Sequence, residues 1–131
     1  MRQRLVVERR HGPELVADDD EASRDLVRII VAQTDREIVC VASSDELLDA
    51  LAAGPTFDLL ISDIDMGWVD GLSALGMARN LGIEIPVIIV SGMNASAYRK
   101  RTTALGNSQF LAKPASPTEL RMLVTQALDH V

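Results

Sequence analysis

Acidic residues stand at two places where apolar runs stop. The run "ELVA" (14–17) ends at Asp18 and Asp19, inside "VADDDE". The stretch "DLLISDIDMGWVDG" (58–71) carries a second apolar run to Asp63, with Asp65 and Asp70 close behind. Two further apolar runs end in other polar side chains, "PVIIVSG" at Ser91 and "FLAKP" at Lys113. Crowded together, Asp18, Asp19 and Asp63 would repel, and at least one carboxyl would hold its proton unless a cation intervened. A hard divalent ion with oxygen ligands answers that need. Mg²⁺ takes few protein carboxylates, keeps several waters and completes its shell with phosphate oxygens. Lys113 adds positive charge and Ser91 a hydrogen-bond donor. The set suits a phosphoryl group arriving at Asp63, because an aspartate can serve as nucleophile through an aspartyl phosphate. Metal and lysine then offset the charge of the transferring group.

These residues meet only if the intervening chain places them at one edge, and the pattern of elements does so. "EASRDLVRIIVAQT" (21–34) predicts a helix with Ala22, Leu26, Ile29 and Ile30 on its apolar stripe. "EIVCVA" (37–42) predicts a strand with Cys40 as a small buried core residue. "SSDELLDALAAGP" (43–55) opens with Ser43 three residues before Glu46, a capping-box spacing, and stops at Gly54-Pro55. A strand over 57–62, a helix over 71–82 closed by Gly82 and a continuous apolar strand over 85–90 follow. A weaker helix over 94–106, a strand over 109–112 and a helix over 116–131 complete the chain. The last helix has Ser116 as N-cap, Pro117 at its first position and Glu119 closing a capping box. Its stripe is Leu120, Leu123, Val124, Ala127, Leu128 and Val131.

The order is β-α five times. It predicts an α/β fold, a doubly wound five-stranded parallel sheet with helices on both faces. Ligands of such sheets bind beyond the carboxyl ends of the strands. Asp18-Asp19, Asp63, Ser91 and Lys113 all fall at carboxyl ends of predicted strands. Any one alone is a cap or turn residue; four at one rim are hard to ascribe to capping. Residues 1–13 stand outside the alternation and read as an N-terminal arm, disordered or adding a strand through "RLVVE"; residues 14–131 read as one domain.

Composition narrows the function classes. The chain has 131 residues, 47% of them hydrophobic, the size of a single domain with a sizeable core. No apolar run approaches the roughly 20 residues of a membrane helix, and no signal peptide is visible at the start, so the expected location is the cytoplasm. A net charge of −6 argues against direct nucleic-acid binding. Cys40 is the single cysteine, so no internal disulfide can form. His11 and His130 lie near the termini with no metal-ligand cluster around them.

The four motifs, in their order, resemble the receiver domain of two-component response regulators, the CheY-like family, from about residue 14 to the C-terminus. The resemblance implies the strand order 2-1-3-4-5 and a role for each matched position. Asp63 matches the phosphoacceptor. Asp19 matches the direct Mg²⁺ ligand, Asp18 its neighbour acting through water, and Asp65 the residue whose backbone carbonyl completes the metal shell. Ser91 matches the hydroxyl that moves to the phosphoryl group, Lys113 the lysine that pairs with it, and Pro114 a proline that usually follows a cis peptide. Phe110 matches the aromatic switch that turns inward as Ser91 moves. The implied cofactor is Mg²⁺. The implied donor is a sensor histidine kinase or a phosphotransfer protein. The implied output surface is the fourth helix, fifth strand and fifth helix, here including Tyr98, Arg99, Lys100 and Arg101; it leaves room for a homodimer. Such a chain is a regulatory domain, not an enzyme beyond its own phosphorylation and dephosphorylation. With no output segment after Val131, it acts by binding a partner or as part of a longer regulator.

The chain departs from the family pattern at Gly67, where a proline is usual, and at Ala115, where a phenylalanine is common. Asp65 and Met93, with Gly67, are expected to modulate the site, and Asp65 and Met93 to tune phosphoryl lifetime. Two other readings compete. The "DID" at 63–65 is similar to the Asp-x-Asp motif of haloacid-dehalogenase-like phosphatases, but there the acidic pair follows the motif, whereas Asp18-Asp19 precedes it. A receiver fold acting as an interaction module without phosphorylation must account for the intact Asp19, Asp63, Ser91 and Lys113.

Overall fold

A computed structural model describes residues 12–32, 36–54, 56–64, 66, 71–92 and 95–129. The elements run β1 (Glu14–Ala17), α1 (Glu21–Val31), β2 (Ile38–Val41), α2 (Ser44–Ala53), β3 (Leu59–Ser62), α3 (Gly71–Asn80), β4 (Val87–Ser91), α4 (Ala95–Leu105), β5 (Ser108–Ala112) and α5 (Pro117–Leu128). The strands form one sheet in the order β2-β1-β3-β4-β5, every neighbouring pair parallel, as expected.

β1, β3 and β4 are buried at every position, so apart from Glu14 at the start of β1 and Ser62 and Ser91 at the ends of β3 and β4 their sequences are apolar runs without alternation. The alternation is in which core each side chain enters. Leu15, Ala17, Leu60, Val87 and Ile89 join the core under α2 and α3; Tyr98 and Leu105 of α4 pack against it. Val16, Leu59, Ile61, Ile88, Val90 and Leu111 join the core under α1 and α5, with Val27, Ile30, Val31, Leu120 and Val124. Successive side chains of a strand leave on opposite faces, so one sheet builds two cores.

The buried stripe of α1 differs from the predicted one. Val27, Ile30 and Val31 are buried, while Leu26 is 52% and Ile29 62% exposed. The helix is rotated so that 27, 30 and 31 point at the sheet, which leaves Leu26 and Ile29 on its flank. Cys40 is also corrected, because it is exposed. It lies on edge strand β2 opposite Val16. Its neighbours Val39 and Val41 pack into one core and Ile38 into the other, while Cys40 itself stays exposed on the edge strand.

The caps follow the sequence. Ser43 accepts the amide of Glu46 at 3.1 Å, while Glu46 accepts the amide of Ala42 at 2.7 Å. Ser116 accepts the amide of Glu119 at 3.3 Å, with Pro117 in the first turn of α5. Leu120 and Val124 of α5 are buried, and Leu123, Ala127 and Leu128 pack partly against the same core; His130 and Val131 lie outside the described residues. Asp20, unmarked in the sequence reading, caps α1 by accepting the amide of Ser23 at 2.9 Å. Gly82 and Gly106 close α3 and α4 at φ +85° and +72°, values that suit a residue without Cβ. At the other rim of the sheet, the amide of Gly12 donates to Asp58 at 2.8 Å and the amide of Asp58 to the Pro13 carbonyl at 3.0 Å. Arg36 pairs with Asp58 there. Residues 1–11 of the expected arm, His11 among them, lie outside the described residues.

Arg79 of α3 clamps two elements together. Its guanidinium donates to the carbonyls of Ile83 at 3.0 Å, Leu105 at 3.2 Å and Gly106 at 3.0 Å. This fixes the C-terminal end of α4 and the start of β5 against α3. In α4 itself Thr102 and Thr103 bond back to the carbonyls of Tyr98 and Arg99. Hydroxyls that compete for helical carbonyls in this way slightly weaken a helix, in keeping with the weak helical signal of this segment.

Candidate functional site

The parallel ladder runs one residue past the strand ends. The Asp18 amide bonds the Val41 carbonyl at 3.1 Å, the Asp63 amide the Ala17 carbonyl at 2.9 Å, and the Lys113 amide the Ser91 carbonyl at 2.9 Å. These residues therefore keep the alternation of their strands. Asp18 follows Val16 by two, Asp63 follows Ile61 and Lys113 follows Leu111, all three members of the α1/α5 core. Strand period alone sends the two acids and the lysine to the same side of the rim.

The side chains meet there. The Lys113 ammonium donates to Asp18 Oδ2 at 3.0 Å and to Asp63 Oδ2 at 3.3 Å. Asp18 is 3% and Asp63 8% exposed, while Asp19 faces solvent. The second oxygen of each buried acid is also held. Asp18 Oδ1 accepts the amide of Asp20 at 2.9 Å, and Asp63 Oδ1 accepts the amide of Ile64 at 2.7 Å. Arg24, which the sequence reading did not single out, donates to the Asp18 carbonyl at 2.9 Å and fixes the turn from β1 into α1.

The electrostatics follow from this crowding. Burial raises the Asp63 carboxyl above its ordinary value; the positive charge of Lys113 opposes the shift, and the negative charge of Asp18 adds to it. Burial alone would lower the Lys113 ammonium. The hydrogen bond to Asp18 and the charge of Asp63 outweigh it, and Lys113 is raised. Asp18, Asp19 and Asp63 can offer one carboxylate oxygen each within 4.8 Å of one another. Three carboxylates face a single ammonium. Hard oxygen donors so grouped fit a small divalent cation such as Mg²⁺.

Ser91 is fully buried at the end of β4. It lies two residues past Ile89 and so belongs to the α2–α3 side of the sheet. Phe110 pairs with Ile89 across β4 and β5 and packs, half-buried, against that same core. The rim thus has two sets, acids and lysine on the α1/α5 side and Ser91 with Phe110 on the other. The Lys113–Pro114 peptide is cis. Asp65, Gly67, Asp70 and Met93 lie outside the described residues.

Residues 15–125 match the family described as the response regulator receiver domain. The chain is 33% identical over 114 residues to an uncharacterized 14.6 kDa protein of Leptolyngbya boryana, covering 86% of both chains. It is 29% identical over 125 residues to the two-component response regulator ORR5 of Oryza sativa subsp. japonica, covering 93% of both. Among solved structures, the receiver domain of the Francisella response regulator 1452 superposes with a TM-score of 0.82 at 26% identity, over 92% of this chain and 98% of that one.

The chain belongs to the response regulator receiver domain family. As a receiver it is a phosphoacceptor domain of two-component signalling, a regulatory module. Among its described residues no helix is long and apolar enough to cross a membrane. The receiver fold brings Asp18, Asp19, Asp63 and Lys113 into one contact group, with Ser91 and Phe110 at the adjoining strands. Sequence reasoning missed Arg24, whose partner is a backbone carbonyl and so leaves no residue type to read. It also missed Asp20, although an aspartate immediately before the first helical residue, Glu21, is an N-cap signal.

Proposed function

We propose that Asp63 accepts a phosphoryl group from a phosphohistidine carried by a sensor histidine kinase or a phosphotransfer protein. An oxygen of the Asp63 carboxylate forms the new bond to phosphorus, the phosphorus–nitrogen bond of the donor breaks, and its electron pair returns to the imidazole. Asp19 and Asp63 would hold Mg²⁺ directly, Asp18 through water, and Asp65 through its backbone carbonyl. The cation, when bound, supplies positive charge for the transferring oxygens.

The chain's own residues do the rest. The Ile64 amide and Lys113 orient the Asp63 carboxylate. Burial keeps bulk water from it. Lys113 is charged and already within reach, so it can follow the negative charge from the carboxylate to the phosphoryl oxygens. Ser91 then donates its hydroxyl to the phosphoryl group, and Phe110 moves into the space Ser91 leaves. This shifts the population of an existing pair of states. The partner of the signalling state meets the α4–β5–α5 face in the cytoplasm.

The contact of Lys113 with both Asp18 and Asp63 carries this reading. It is tested by incubating the protein with Mg²⁺ and acetyl phosphate and measuring intact mass. The expected result is one phosphoryl adduct, dependent on Mg²⁺ and absent in Asp63→Asn. No adduct, or one that survives Asp63→Asn, overturns the assignment and leaves the fold as an interaction module.

A further inference from the structure

The Arg99 guanidinium carbon lies 4.8 Å from the centre of the Phe110 ring. Arg99 is exposed on α4, and Phe110 is half-buried on β5. The cation therefore covers the solvent side of a ring whose other side packs on the α2–α3 core. Among the described residues no carboxylate pairs with the Arg99 side chain, and its guanidinium lies against the ring face. Tyr98, next along the helix, is partly buried with Arg101 over its own ring at 5.6 Å. The Arg79 clamp holds the far end of α4 against α3.

We propose that Arg99 is a latch on Phe110, weighting the chain toward the state in which the ring stands at the surface. The inference rests on the reading of Ser91 and Phe110 as the switch pair and adds the element that sets its threshold. A guanidinium is attracted to an aromatic face within about 6 Å, and at an exposed site the contact changes a two-state ratio by about two- to fivefold. A ring that turns inward under α4 takes its face away from Arg99. The contact therefore exists in one state and not in the other, the condition for it to shift the equilibrium. A ligand that binds the inward state binds more tightly by the same factor once the latch is removed, while that state is the minor one.

The full chain, labelled with fluorophenylalanine, gives two ¹⁹F signals, from Phe57 and Phe110. Phe57 is buried in the core and serves as the internal reference. Beryllofluoride with Mg²⁺ is the probe, as an anion that takes the place of a phosphoryl group on a carboxylate. In Arg99→Gln the Phe110 signal should move, without the probe, toward its probe-saturated position, and beryllofluoride should bind about two- to fivefold more tightly. Arg99→Lys should fall between, because an ammonium keeps the charge but loses the planar stacking. Loss of positive charge alone would weaken binding of an anion, so the expected sign separates the latch from simple electrostatics. Unchanged or weaker beryllofluoride affinity in Arg99→Gln refutes the latch. A Phe110 signal that does not move in the unmutated chain at probe saturation refutes instead the switch reading beneath it.

Discussion

Replacing Asp63 by asparagine should stabilise the protein when divalent cations are chelated, although it removes the residue the chemistry depends on. The carboxylate oxygens of Asp18, Asp19 and Asp63 lie within 4.8 Å of one another. At an effective dielectric constant of about 20, the buried Asp18–Asp63 repulsion is about 3 kcal/mol. The solvent-facing Asp19 adds about 1 kcal/mol at the dielectric constant of water. The Lys113 ammonium, 3.3 Å from Asp63, returns about 5 kcal/mol on the same scale. The charge contributions nearly cancel, which leaves the burial of a carboxylate only 8% exposed. An amide is cheaper to bury, so Asp63→Asn should gain about 1–2 kcal/mol, or roughly 3–8 °C in Tm for a chain of this size.

The pH dependence fixes the origin of that gain. The Asp63 carboxyl is raised above its ordinary value of 3.8, chiefly by burial. The folded state thus binds this proton more tightly than the unfolded state. The stabilisation is full below the unfolded value and is lost as pH climbs through the raised one. The advantage of Asp63→Asn should be small near pH 4 and grow toward neutrality. Adding Mg²⁺ should reverse the order, since a ligand at a hundredfold over its Kd stabilises by about 2.7 kcal/mol and the variant lacks one carboxylate donor. Thermal denaturation of both proteins, in chelator and in Mg²⁺, across pH 4–8 reads all three effects. An Asp63→Asn variant less stable than the parent in chelator at neutral pH would refute the reasoning.

Gly12→Ala should destabilise the fold by about 1–3 kcal/mol in urea titrations, because a Cβ there would stand 2.3 Å from the Thr56 carbonyl oxygen. Arg79→Met should cost about 1–3 kcal/mol, and Arg79→Lys should recover only part of it. One ammonium cannot serve the carbonyls of Ile83, Leu105 and Gly106 in the geometry of a guanidinium; amide exchange at the α4–β5 turn reads the loss. Cys40 is exposed but its thiol is raised by partial burial. It should react with a disulfide reagent in the native state, slowly at neutral pH and faster as pH rises above about 8; complete protection until unfolding would contradict the open β2 edge.

What the sequence made legible depended on whether the signal was carried by residue types. Asp18, Asp19, Asp63, Ser91 and Lys113 announce themselves because each interrupts an apolar run, and a parallel sheet sends every such interruption to one rim. The capping residues Ser43 and Ser116 were equally plain, since a hydroxyl three residues before a glutamate has a local partner. The buried stripe of α1 was not. Ala22, Leu26, Val27, Ile29, Ile30 and Val31 are all apolar, so more than one face could be drawn through them, and packing against Val16 and Ile61 selected Val27, Ile30 and Val31. Cys40 failed for a related reason. "EIVCVA" taken alone is an apolar run that points to burial, whereas the order 2-1-3-4-5 sets it at the sheet edge, where Cys40 is exposed. Arg24 and Arg79 were invisible because their acceptors are backbone carbonyls, which every residue has. Arg99 was read only as part of the implied output surface, but its partner is a ring eleven residues away.

The alternation that builds two cores also separates two tasks. Asp18, Asp63 and Lys113 continue the side of Val16, Ile61 and Leu111, so charge is gathered against α1 and α5. Ser91 and Phe110 continue the side of Ile89, against α3 and α4. A one-residue shift of β4 or β5 would put Ser91 or Phe110 among the acids, and the two sets would merge. The ladder fixes the register and so keeps the two sets on their own sides. They touch at the junction of β4 and β5, where the Lys113 amide bonds the Ser91 carbonyl at 2.9 Å. On the proposed reading that junction is the narrow path between chemistry and signal. Arg99 stands at its far end, where a contact of modest strength is enough to set how readily the signal passes.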